Sequence, residues 1–114
     1  MHLVRFEDAP PYSAVNHQGV APRRVQGKEA GGPTGVYVSI SEYPPGSGGQ
    51  SVTATTEVVY LVMEGTLHIE HDQGSDDLTV GDSISFAPGE SRAAHNTTGQ
   101  HARLIVIHQP QRTE

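Results

Sequence analysis

The sequence predicts an all-β domain, on three observations: plentiful turn residues, stretches of alternating apolar and polar positions, and few aromatics. Among 114 residues there are 13 Gly and 8 Pro, no Trp, and aromatics amount to 5%. Such a mix favours many short strands and turns over packed helices. The length suits one domain with a modest core.

The elements follow in order. Residues 1–35 read as an N-terminal arm: a short strand at Leu3 to Phe6, then Pro10-Pro11, then a polar stretch ending in Gly31-Gly32-Pro33. No helical apolar period survives there. Residues 36–114 read as the barrel. From Val36 the period becomes two, with Val36, Val38 and Ile40 on one face and Tyr37, Ser39 and Ser41 on the other. Pro44-Pro45-Gly46-Ser47-Gly48-Gly49 forbids a continued strand and marks a mobile loop, either a lid or a plain connection. A strand is expected through about Val52 to Met63, stopping at Glu64-Gly65. Thr66 to His71 follows, and Asp72-Gln73-Gly74-Ser75 supplies a hairpin turn. Leu78-Thr79-Val80 leads to Gly81-Asp82, then a strand at Ser83 to Phe86 and a turn at Pro88-Gly89. The last strand, Ala102 to His108, sets Leu104 and Val106 against Ile105 and Ile107, so both its faces are apolar. About eight short strands at this spacing suggest a sandwich or a barrel.

Charge and composition exclude several function classes. The formal charge is −6 with His neutral, and Arg23-Arg24 is the only basic doublet. A nucleic-acid partner needs clustered Lys and Arg and is not expected. The absence of Cys excludes disulfides and thiolate metal sites. Neither a signal-peptide apolar run nor a membrane-length apolar stretch is present, so no membrane partner and a cytoplasmic location are expected. Hydrophobic residues make up only 34%, from which a partner subunit covering part of the surface, a homodimer, is expected.

Two stretches carry a resemblance. Tyr43-Pro44-Pro45-Gly46 followed by Glu57-Val58-Val59-Tyr60-Leu61-Val62-Met63-Glu64-Gly65 resembles the first motif of the small single-domain, RmlC-like cupins. Gly81-Asp82-Ser83-Ile84-Ser85-Phe86-Ala87-Pro88-Gly89, continuing through Arg92 to His95-Asn96, is similar to the second. With the hairpin between them they span roughly Val36 to Ile107. The resemblance implies a cupin-type double-stranded β-helix, or jelly-roll barrel, with an N-terminal arm. In dimers of that family such an arm packs over the barrel mouth or the partner.

The departures from the motifs bear on function. Registering the second motif on Gly81, Gly89 and Asn96 puts Ala87 at the usual Pro and Arg92 at the usual metal-binding His. Registering the first on Gly65 puts Val58 at the usual Glu, with Glu57 one residue early. No His lies between Val20 and Leu67, so the usual His-x-His pair is missing. Cupin metals need imidazoles and a carboxylate converging at about 2.0–2.2 Å. An Arg has no lone pair and would repel a cation. No metal and no other cofactor are therefore expected.

Arg92 is the most informative residue. In the family geometry it points into the barrel near its mouth, where it could clamp a carboxylate, phosphate or enolate, or stabilise a developing oxyanion. It could equally pair with Glu57 or Glu90 and fill the vacated site. Glu57 either turns inward through a bulge to oppose Arg92 or stands outside as a solvated strand residue. The inward placement is preferred, because Val58 and Leu61 to Met63 otherwise supply ample barrel filling. Tyr43, Gln50 and Tyr60 are candidate cavity polar groups. In the arm His17, Arg23, Arg24 and Lys28 either complete a pocket or are ordinary solvated charges. His95 is a further candidate for substrate binding, or a surface or interface histidine, since it faces away from Arg92 if the strand is regular. Leu67 and Ile69 claim the inner face and leave His68 and Glu70 outside. A zinc site of His68, His95 and His101 can be drawn but lacks a recognised ligand spacing.

Three functions stay open. The first is a metal-independent isomerase, cyclase, decarboxylase or lyase for a small carboxylate or enolisable carbonyl compound. There Arg92 stabilises negative charge, and Glu57 or a nearby His moves the proton. The second is a non-catalytic module that binds or senses a small anion. The third is a metalloenzyme with unfamiliar His ligands.

Overall fold

A computed structural model describes residues 1–14 and 16–110. The last residues of the expected barrel, 111–114, lie outside the described residues. Among the described residues eleven strands form two antiparallel sheets. One holds β1 (His17–Gln18), β4 (Gly48–Gly49), β10 (Ser91–His95), β7 (Thr66–His71) and β8 (Gly74–Thr79) in that order, and β5 (Val52–Thr53) also pairs with β10. The other runs β2 (Ala21–Gln26), β3 (Tyr37–Tyr43), β11 (Ala102–His108), β6 (Val58–Glu64), β9 (Ser83–Phe86). This is the all-β jelly-roll arrangement that the sequence predicts. No helix among the described residues is long and apolar enough to cross a membrane.

Alternation builds the core. On β7, Leu67 and Ile69 are fully buried while His68 and Glu70 lie on the other face. Burying each such aliphatic side chain contributes about 1.5–3 kcal/mol. Val62 and Leu104, both at most 1% exposed, meet them from the facing sheet. The turn between β6 and β7 needs Gly65, whose φ is 71°. A Cβ there would also stand 2.6 Å from the His101 carbonyl oxygen.

Four expectations change. The strand from Val52 to Met63 is broken at Ala54, which bonds through both backbone groups to the 89–90 turn (Ala54 N–H to Glu90 O, Gly89 N–H to Ala54 O, each 2.8 Å). The chain thereby leaves one sheet as β5 and enters the other as β6. Leu3 to Phe6 is not a strand. Instead a 3-10 turn spans Phe6–Asp8, and the Phe6 ring packs under the guanidinium groups of Arg23 and Arg103 at 5.4 and 5.0 Å. The residues expected as an arm contribute β1 to one sheet and β2 to the other. Gly48-Gly49 is not a free loop but a two-residue strand between β1 and β10. It is glycine for a steric reason: a Cβ would lie 2.5 Å from the His95 ring at Gly48 and 2.5 Å from the His17 ring at Gly49.

The polar face of β3 turns inward. Ser39, Ser41 and Tyr43 are buried, whereas Val38 and Ile40 lie half-buried on the outside. Serines on an inner face fill little volume and leave room. The inner face of β11 likewise grades from the fully buried Ala102 and Leu104 to the half-buried Val106 and His108. The barrel is packed with aliphatics at one end and hollow at the other.

Candidate functional site: a cationic barrel cavity

The hollow end is a cavity of about 490 Å³ between the sheets, within the range of small-molecule sites. Arg92 lines it from β10 and Tyr60 from β6. The Arg92 Nε–H donates to the Tyr60 hydroxyl oxygen at 3.1 Å, and Nη1 makes a longer contact, 3.4 Å, to the Val52 carbonyl. A hydroxyl oxygen that accepts from a guanidinium keeps its own O–H to donate elsewhere. Phe86 packs edge-on against the Tyr60 ring and fixes its direction. Tyr43 lies deeper, 3% exposed, and burial with help from the neighbouring Tyr60 and Tyr12 pushes its phenol pKa up, against a smaller opposing pull from Arg92. It stays a neutral donor.

A second cationic group comes from β2. Arg24 lines the cavity, its guanidinium over the rings of Tyr12 and Tyr37 at 4.6 and 4.5 Å. Its Nη1–H points at His108 Nε2, 3.1 Å away. Because Arg can only donate, that nitrogen is the lone-pair nitrogen of a neutral imidazole, and Nδ1–H donates to the Gln109 carbonyl at 3.1 Å. Burial above all holds the His108 pKa below its usual value, opposed by the hydrogen bond to the Gln109 carbonyl and helped by the charges of Arg24 and Arg92. Among the described residues no Asp or Glu lines this cavity, although the chain is acidic overall.

The sequence-predicted residues divide accordingly. Arg92, Tyr60, Tyr43, Gln50, His17 and Arg24 all border the cavity. Glu57 does not: it is exposed, with Val58 buried beside it, so the preferred inward placement is corrected. The strand begins at Val58 without a bulge there and pairs regularly with Phe86 on β9, which sends Val58 inward. His95 sits on the opposite face of β10, against Gly48, and borders a separate surface groove with Gln50 and His17. Arg23 turns outward to the Ala9 carbonyl, and Lys28 is exposed in a 3-10 turn. His108 and Tyr12 were not singled out from the sequence. The period of β11 (Ala102, Leu104, Val106, His108) carries the signal for the first.

The residues do not fit a cupin metal. Among the described residues His17 and His108 are the imidazoles that line the cavity, no carboxylate joins them, and Arg92 stands among them. Among the described residues no group of three or more His, Asp or Glu side chains is arranged to hold an ion. His68 and His95 are cross-strand neighbours, but His101 bonds to Glu42 on the other sheet, so the three do not converge.

Asn96, at the motif's terminal position, is 1% exposed and fully used. Its Nδ2 donates to the Tyr43 and Gln100 carbonyls at 2.7 and 2.6 Å, and Oδ1 accepts from Thr98 N–H and O–H. Its work is structural. The sequence pattern of the Cupin domain matches residues 39–108. The chain belongs to the cupin family. Beta-D-galactosidase Rv1717 of Mycobacterium tuberculosis is 38% identical over 106 residues, covering 93% of this chain and 91% of that protein. The fold superposes on the polyketide cyclase RemF from Streptomyces resistomycificus with a TM-score of 0.86 at 19% identity, covering 100% of this chain and 82% of that one. An RmlC-like cupin from Shewanella frigidimarina gives 0.80 at 20% identity, covering 98% and 93%. At those identities the two structures bear on the fold alone.

Proposed function

We propose that this cupin is a metal-independent enzyme acting on a small carboxylate or enolisable carbonyl compound in the barrel cavity. The observation that carries this reading is the charge of the lining: among the described residues it holds two guanidinium groups and no carboxylate. Arg92 holds the substrate's negative charge, and the Tyr60 O–H adds a second donor beside it. A C–H next to the carbonyl gives its proton to His108 Nε2, and the electron pair moves to the oxygen held by Arg92 and Tyr60. Return of the proton elsewhere completes an isomerisation, and loss of a β-substituent completes a lyase step. The test is a panel of small oxo- and hydroxy-acids incubated with chelator-treated protein. Turnover that Arg92→Ala abolishes without unfolding supports the reading. Ligands that bind through Arg92 and return unchanged make the protein a binding module.

A second reading is favoured by the relative named a β-D-galactosidase: hydrolysis of a β-galactoside in the same cavity. Ser41, Gln50, Thr53 and Thr55 give the lining the hydroxyl and amide groups a sugar uses. The pair of carboxylates that glycoside hydrolysis ordinarily needs is not among the described residues of the lining. Release of nitrophenol from nitrophenyl β-D-galactoside, lost in Tyr60→Phe, would put this reading first.

A homodimer forms part of the proposal. Val38, Ile40, Val59, Leu61, Ile105 and Ile107 lie side by side across β3, β11 and β6 on the outer face, half-buried in the single chain. Light scattering reads the mass directly.

A further inference from the structure

The function proposed above uses Arg92 as the charge anchor and leaves the second guanidinium with no ligand of its own. Arg24 and Arg92 belong to different sheets, so they face one cavity from opposite walls. Like charges in one hollow repel each other, and among the described residues no lining carboxylate offsets them.

Arg24 is also short of acceptors. Its side chain is only 11% exposed, yet its buried Nε has no hydrogen-bond partner. The carboxylate paired with it, Glu29, stands 3.5 Å away and is 53% exposed, so solvent screens the pair. One of the two Nη1–H donors goes to an imidazole nitrogen, a weaker partner than a carboxylate oxygen. The Tyr12 and Tyr37 rings hold the guanidinium in place beforehand. An anion arriving there loses little ordering entropy.

We infer that Arg24 is a second anion anchor, and that the cavity takes a small molecule with an acidic group at each end, one held by Arg92 and the other by Arg24. This rests on the reading of the cavity as an anion site and specifies its substrate class as short-chain dicarboxylates. It carries a consequence for His108. A carboxylate that takes the Arg24 Nη1–H uncovers the Nε2 lone pair, so only a molecule long enough to reach both walls frees the base. A monoacid fills the Arg92 end and leaves His108 capped.

Calorimetric titration of the chelator-treated chain with monocarboxylates and with dicarboxylates of increasing length, from oxalate to adipate, tests this. The expected result is a length optimum, with the best diacid binding at least roughly tenfold tighter than the monoacid of equal chain length. Arg24→Gln should bring that ratio to about one. A flat length series, or a diacid preference that survives Arg24→Gln, overturns the inference and leaves the Arg92 site standing. Failure of every anion to bind overturns both. If Arg24→Gln does not fold, the wild-type length series decides, together with the His108 ring-nitrogen resonances. Those should shift with the optimal diacid and stay still with its monoacid counterpart; shifts equal for both contradict the inference.

Discussion

Arg92 on β10 and Tyr60 on β6 join the two sheets across the cavity through one hydrogen bond, Nε–H to phenol oxygen, at 3.1 Å. That contact orients both donors toward the same space. Arg92→Lys keeps the charge but loses the Nε donor and the fork. Its anion affinity is expected to fall roughly tenfold, and that of Arg92→Ala at least about a hundredfold. Titration with a bound carboxylate, alongside circular dichroism to confirm folding, checks both.

His108 should make stability depend on pH in one direction. Its folded pKa lies below the usual value, so the unfolded chain binds the proton more readily. Its contribution is fully present above pH of about 6.5 and is lost as pH falls through the lower, folded value. Protonation would also set an N–H against the Arg24 donor. Urea melts across this range should show stability declining toward acid, and His108→Gln should flatten that part of the profile.

Asn96→Ala removes a donor from the Tyr43 and Gln100 carbonyls and an acceptor from Thr98 at a site with 1% exposure. The expected loss is about 2–4 kcal/mol in denaturant unfolding, with the remaining folded protein still able to bind.

Glu57 and Gly49 make a contrasting pair. Glu57→Gln alters a solvated side chain and should change stability by less than about 0.5 kcal/mol, with no effect on cavity binding. Gly49→Ala puts a methyl group 2.5 Å from the His17 ring and should cost roughly 1–3 kcal/mol as that ring shifts at the cavity edge. Thermal melts separate the two.

Much of the fold was legible because period-two alternation is local. Thr66 to His71, Ser83 to Phe86 and Ala102 to His108 form strands over the bounds the pattern suggests. The break at Ala54 was not legible, since its cause is a pair of backbone bonds to a turn more than thirty residues away in sequence. Of the site, Arg92 could be placed by its motif register. Glu57 could not, because one residue of register moves a strand side chain from one face to the other. Arg24 was named only among the arm's charges, because nothing local shows that β2 pairs with β3 and so carries it into the hollow. His108 ends an apolar alternation, and a single polar residue closing such a strand reads as solvent-facing until the cavity is seen.

The most direct measurement follows the Arg92 side-chain Nε–H resonance in nitrogen-labelled, chelator-treated protein as a small carboxylate is added. A saturable shift at Arg92, with no need to restore metal, is the predicted outcome. An unmoved Arg92 signal, or binding that appears only once a divalent metal is returned, would contradict it.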